Sequence, residues 1–202
     1  MSFYAELQKQ RWDDHRLYHH SRINQSLHLL SALCFLGMYA FLFFNPIVAA
    51  VLGWIFAMLL RQAGHFFFEP KGYDEVNDLT FEHKEDIKVG YNLFRKVVLL
   101  SLWAATPILI ALEPDVFGLL PQADGLYGYV YNLSVLWLAL GFGAIAFRTV
   151  HLFFIADVQT GLVWATKILT DPFHDIKMYY KSPMHLARGE LIDPMIHVKQ
   201  SH

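Results

Sequence analysis

The chain has 202 residues, with 16 Lys+Arg against 18 Asp+Glu and a formal charge of −2. Hydrophobic residues make up 55% and charged residues only 17%, below the roughly 25% charged residues of a soluble domain. That balance excludes a disordered chain and a nucleic-acid binder built on a basic surface, and it argues against an ordinary soluble domain. The single cysteine, Cys34, excludes an intramolecular disulfide.

Four apolar stretches follow one another along the chain. The first, 29–44, reads LLSALCFLGMYAFLFF and is closed by the turn signal Asn45-Pro46. The second, 47–68, reads IVAAVLGWIFAMLLRQAGHFFF and carries Arg61, Gln62 and His65 only in its last third. The third, 97–112, contains Pro107 as an expected kink. The fourth, 129–147, leads into Arg148 and His151. Crossing about 30 Å of hydrocarbon takes roughly 20 residues, so the shorter stretches must draw on Tyr91, Phe94 and Tyr127 at their ends. The expected fold is all-α: one membrane domain over 1–202, an integral bundle of about four transmembrane helices. In the tail, 148–202, Pro172, Pro183 and Pro194 predict short pieces. Trp164, Ile168, Phe173 and Met178 are expected to face a membrane surface or cap the mouth of the bundle.

Four spans would place 1–28, 69–96 and 148–202 on one side. That side holds every Lys and Arg except Arg61, which lies near the same end of its span. The turns at 45–46 and 113–128 hold only Glu113, Asp115 and Asp124. The positive-inside rule then makes the first side, with both termini, cytoplasmic. No signal-peptide pattern is read at the N-terminus.

All 11 histidines fall on that side or at that end of a span. His28 opens the first stretch, His65 lies near the end of the second, and His151 follows the fourth. In an antiparallel bundle these points share a height, and helices 8–10 Å apart bring inward imidazoles within reach of one ion. His20, Asn24 and His28 are spaced i, i+4, i+8; His65 and Glu69 are i, i+4, with Gln62 a turn earlier. Imidazole plus carboxylate suits non-haem Fe(II), which keeps positions open for O2 and substrate, although zinc accepts the same ligands. The lack of clustered cysteines argues against an iron–sulfur centre. Each residue also has a plainer reading. His19 or His20 can be interfacial beside Tyr18, and His65 can be a hydrogen-bonded histidine inside the bundle. His83 can be a solvated helix start capped by Thr80. His151, His174, His185, His197 and His202 can be surface residues, and Glu69 a boundary charge. Arg61 and Arg148 either snorkel to headgroups or hold a substrate carboxylate, with snorkelling preferred.

The blocks Tyr18-His19-His20-Ser21-Arg22-Ile23-Asn24-Gln25-Ser26-Leu27-His28 and Gly64-His65-Phe66-Phe67-Phe68-Glu69 resemble those of the small membrane 2-hydroxy fatty acid dioxygenases. The resemblance covers about the first 70 residues. It implies an Fe(II)-dependent enzyme that uses O2, without 2-oxoglutarate, to shorten a 2-hydroxy fatty acid by one carbon. His19 or His20, Asn24 and His28 match the first block; His65 and Glu69 match the second. The expected metal ligands are drawn from His19, His20, His28, His65, His83 and His151, with Asn24 and Glu69 acting beside the metal. One iron is preferred and two are possible. The partners expected are O2 and a membrane lipid or fatty acid, with no nucleic acid.

Two other readings stand beside it. A di-iron desaturase- or hydroxylase-like site would use the HxxxHH box His15–His20, with His83, His151 and His174 at a second iron. A non-enzymatic membrane scaffold or metal carrier would use the histidines as a sensor. Carriage is disfavoured by the scarcity of ionisable residues within the first, third and fourth stretches.

Overall fold

A computed structural model describes residues 1–195, and these are helical with no strand among them. His197 and His202 lie outside the described residues. Most helix starts are written in the sequence as caps. In α1 (Phe3–Tyr18) the Ser2 side chain accepts from the Ala5 N–H, and in α2 (Arg22–Phe41) Ser21 accepts from Asn24. In α3 (Pro46–Phe68) Asn45 accepts from Val48, with Pro46 in the first turn. Thr80 caps α4 (Phe81–Asp86), Asn92 caps α5 (Leu93–Leu112), and Asp157 caps α7 (Val158–Tyr179). Each such oxygen satisfies an N–H that the first turn leaves without a partner. The set is completed by α6 (Gly125–Ile155) and α8 (Ser182–Ala187).

Three helices, α3, α5 and α6, are long and apolar enough to cross a membrane, and the chain is an all-α membrane bundle. The first expected stretch, 29–44, falls on α2, whose twenty residues begin with the polar RINQSLH. Helix α2 buries Asn24, Gln25, His28 and Ser31 inside the protein. Its first two turns therefore build the site, and the apolar run that follows ends at Phe41, where a turn begins.

Pro107 does not break α5. The missing N–H would have bonded to the Trp103 carbonyl, four residues back. That carbonyl instead accepts from Thr106 Oγ1 at 2.6 Å and Trp137 Nε1 at 3.3 Å. In an apolar environment such substitution is what makes an interior proline tolerable. Trp54 of α3 adds to this layer, donating Nε1 to the Trp137 carbonyl at 2.6 Å and stacking on Trp103 at 5.8 Å.

The tail departs from expectation. Pro172 lies inside α7, which runs unbroken for 22 residues, and only Pro183 opens a short helix. Helix α7 packs on α1, α2 and α6 and closes the bundle. Gly161 allows its approach to α6, because a Cβ there would meet Phe153 at 2.6 Å and the Thr149 carbonyl at 2.7 Å. Trp164 and Ile168 face inward, while Phe173 and Met178 are exposed. The tail is therefore part of the core as well as a surface. Beyond α8 the chain returns to the head of α2: Arg22 N–H donates to Leu191 O at 2.9 Å and Asp193 N–H to His20 O at 2.7 Å.

Candidate metal centre

The C-terminal end of α1, the head of α2 and the end of α3 converge on three imidazoles. The ring centroids of His19 and His28 are 4.2 Å apart, those of His28 and His65 5.0 Å, and those of His19 and His65 5.4 Å. One ring nitrogen from each lies within 4.8 Å of the others. His19 and His28 are buried and His65 nearly so.

What sets these histidines together is a backbone argument. His65 occupies a π-helical turn, Gly64–Phe68, at the end of α3; such turns recur at functional sites. Gly64 lies against Asn24, and a Cβ on it would overlap Asn24 Oδ1 and stand 3.1 Å from Cγ. Asn24, fully buried, donates Nδ2 to the Tyr18 carbonyl at 3.0 Å. It thus ties the end of α1, where His19 sits, to the helix that carries His28. Gln25 repeats the tie, donating to His19 O at 2.8 Å and to Asp193 at 2.9 Å, and accepting from Ser182 at 2.7 Å.

Two of the imidazoles have a hydrogen-bonded orienting group, and the third faces a carboxylate without bonding to it. His65 Nδ1 meets Glu69 Oε2 at 2.6 Å, and His19 Nδ1 meets Tyr179 OH at 3.0 Å. His28 Nδ1 lies 3.7 Å from Asp175. The Tyr179 hydroxyl also reaches His15 Nδ1 at 3.2 Å. Glu69 is therefore placed to orient His65 rather than stand among the clustered nitrogens. Orientation of a histidine through its second nitrogen is how proteins hold metal ligands.

The donor set fits a metal ion. His19 Nε2 and both ring nitrogens of His28 are buried without a hydrogen-bond partner, and such orphans in a native interior call for an explanation. Burial first, and His28 second, hold the His19 pKa well below its ordinary 6.5, so the ring is the neutral electron-pair donor that a metal requires. Burial raises the Glu69 pKa, opposed by Lys88 and Lys96.

One cavity is lined by the triad and by two sets of charge pairs. Lys167 pairs with Asp14 and, at 2.9 Å, with Asp171; Arg11 stands 3.5 Å from Asp171; Arg61 pairs with Asp175. Asp14 is held down to about 2: burial pushes it up, but Lys167 and then His19 outweigh that. Arg61 turns inward instead of snorkelling, and Arg148 is buried, donating Nη2 to the Val89 carbonyl at 2.6 Å.

Three of the expected ligands lie elsewhere. His20 Nε2 donates to the Arg16 carbonyl at 2.5 Å and faces Asp74 at 3.6 Å, because the chain turn after α1 points successive side chains apart. His83 is exposed on α4, the capped helix start. His151 accepts from Arg148 Nη1 at 2.8 Å and stacks on Phe147. His174 lines the interior cavity, and His185 pairs with Glu190 at 2.8 Å. The groups that spacing alone did not mark are Tyr179, Asp175 and Arg61, whose roles depend on α7 crossing α2.

The triad stands at the head of a cavity of about 610 Å³. One wall is apolar, with Met38, Trp54, Leu99, Leu138, Phe142 and Ile145, and another is charged, with Arg11, Asp14, Lys88 and Lys167. Compared with family models, curated proteins and solved structures, the chain matches none of them.

Proposed function

We propose that this protein is an iron-dependent membrane oxygenase that acts on a fatty acyl substrate, shortening 2-hydroxy fatty acids by one carbon with O2. The observation that supports it is the junction of two features. Three clustered imidazoles, two of them with orphaned nitrogens, line a cavity of about 610 Å³ with an extensive apolar wall, in the volume range that encloses one small ligand. Trp54, earlier on α3 than His65, lines the same cavity, which gives an acyl chain an apolar wall to lie on with its head at the histidines.

His19, His28 and His65 would hold the metal, and Fe(II) bound there supplies O2 activation beside the hydroxyl and carboxylate of the substrate. Glu69 keeps the His65 ring oriented and Tyr179 that of His19. Asn24 fixes the distance between the two helices that carry them. The apolar walls exclude water from the reacting carbons and admit the chain. Following the distribution of Lys and Arg, we place the histidine end on the cytoplasmic side of a multi-pass protein.

A di-iron site would need a second cluster, and among the described residues one group of three gathers. The deciding experiment is metal analysis of protein purified anaerobically, alongside His65→Ala. About one iron per chain, lost in the variant, with O2 uptake on 2-hydroxy fatty acids, is expected. A folded protein with no bound transition metal would overturn the reading, and about two irons would favour the di-iron enzyme.

A further inference from the structure

Among the described residues the buried cations have hydrogen-bond or ion-pair partners, with one exception. Lys84 reaches Asp74 at 3.4 Å and the Leu17 carbonyl at 3.3 Å. Lys167 holds Asp14 and Asp171, Arg61 holds Asp175, and Arg148 donates to Val89 O. Lys88, half a layer away, pairs with Glu85 at 3.2 Å and lies 3.6 Å over the Tyr18 ring. Lys96, in the first turn of α5, is 9% exposed. Among the described residues no hydrogen bond or ion pair reaches its ammonium. Glu69 and Glu85 share a small recess with it but stand outside bonding distance.

A buried ammonium with no carboxylate in ion-pair contact is costly for a fold to retain, and Glu69 and Glu85 act on Lys96 only from beyond that distance. Lys96 also lines the main cavity, as does His65. The other cations lining it are Arg11, Arg16, Arg61, Lys88 and Lys167, each beside a carboxylate, and Lys9, which is exposed to solvent. Among the described residues, Lys96 is therefore the buried cation of the cavity that an entering anion finds without an ion pair.

We propose that Lys96 is the anion-anchoring residue of the cavity, and that its ligand is the carboxylate of a single-chain fatty acid. The inference rests on the acyl reading of the cavity and names the group that recognises the head. A cavity of about 610 Å³ takes one chain rather than the two of a phospholipid, and one lysine matches a singly charged head. Substrates lacking the charge, such as alcohols and esters, leave Lys96 unpaired and are disfavoured by the site.

The test uses metal-free full-length protein in nanodiscs of neutral lipid, so that binding is read apart from turnover. Dodecanoate, dodecanol and dodecyl phosphate are titrated against wild type, Lys96→Met and Lys96→Arg, with empty nanodiscs correcting for partition. Wild type is expected to prefer dodecanoate over dodecanol by about 10- to 100-fold, the range for one hydrogen bond to a charged group. Lys96→Met abolishes that preference while binding dodecanol within about twofold of wild type, and Lys96→Arg keeps most of it. Unfolding of Lys96→Met at a temperature no lower than wild type shows that the loss is local. The proposal is overturned if wild type binds acid and alcohol alike, or if the preference survives in Lys96→Met. Lysine-dependent binding of dodecyl phosphate without that of dodecanoate also overturns it, in favour of a phosphate headgroup. Lysine-dependent acid binding in a protein that takes up no O2 supports the anchor while sinking the oxygenase.

Discussion

Gly64 and Asn24 show how a small steric fact becomes a chemical one. The glycine admits the amide, and the amide holds His19 and His28 at the height of His65. Gly64→Ala should push Asn24 away and open the triad. We expect a loss of about 1–3 kcal/mol in stability, as for other overpacked sites, together with weaker metal binding; thermal unfolding and metal titration on the same sample check both. Tyr179 acts from the other side. Tyr179→Phe removes the hydroxyl shared by His15 and His19. Metal affinity should fall by about 10- to 100-fold, while stability falls by only about 0.5–1.5 kcal/mol. An unchanged affinity would mean that Tyr179 serves packing alone.

At the scale of elements, α7 is joined to α1 by charge as much as by contact. Lys167 is buried and bridges Asp14 of α1 to Asp171 of its own helix. Lys167→Met leaves Asp171 buried with only Arg11 at 3.5 Å, and loss of one partner from a buried pair costs about 3–5 kcal/mol. Adding Asp171→Asn to Lys167→Met should restore part of that loss, measurable as a double-mutant cycle in chemical unfolding. The same clamp sets a pH dependence. The folded pKa of Asp14, about 2, lies below the ordinary 3.8. Its contribution is thus complete above about pH 4 and is lost as pH falls toward 2. Because Asp14 is partly exposed, solvent screens the pair and the acid-side drop should be modest. In Lys167→Met that part of the drop should vanish.

For the whole molecule, the three apolar helices and the polar head make a prediction about sidedness. His83, on α4, and Leu119, between α5 and α6, are both exposed and should lie on opposite faces of the membrane. His83→Cys and Leu119→Cys, in a Cys34→Ala background, should react with an impermeant thiol reagent from opposite sides of sealed vesicles. Labelling from one side would mean that α5 does not span.

Much of this was legible in the chain. Apolar runs, the Asn45-Pro46 turn and the Thr80 cap define helices through local hydrogen bonding and hydropathy, which need no partner. The spacing of His28, His65, Asn24 and Glu69 likewise marks one end of the bundle. Spacing could not choose His19 over His20, because adjacent residues diverge at the turn after α1 in a direction that the packing of α2 decides. It also could not exclude His83, whose side chain is exposed, or His151, which pairs with Arg148. The long α7 was hidden by Pro172, a residue whose local cost is outweighed by what the helix buries. Tyr179, Asp175 and the unpaired Lys96 are distant in sequence from the triad. Their meaning comes only from tertiary structure, because whether a charge or hydroxyl has a partner depends on the helices packed around it.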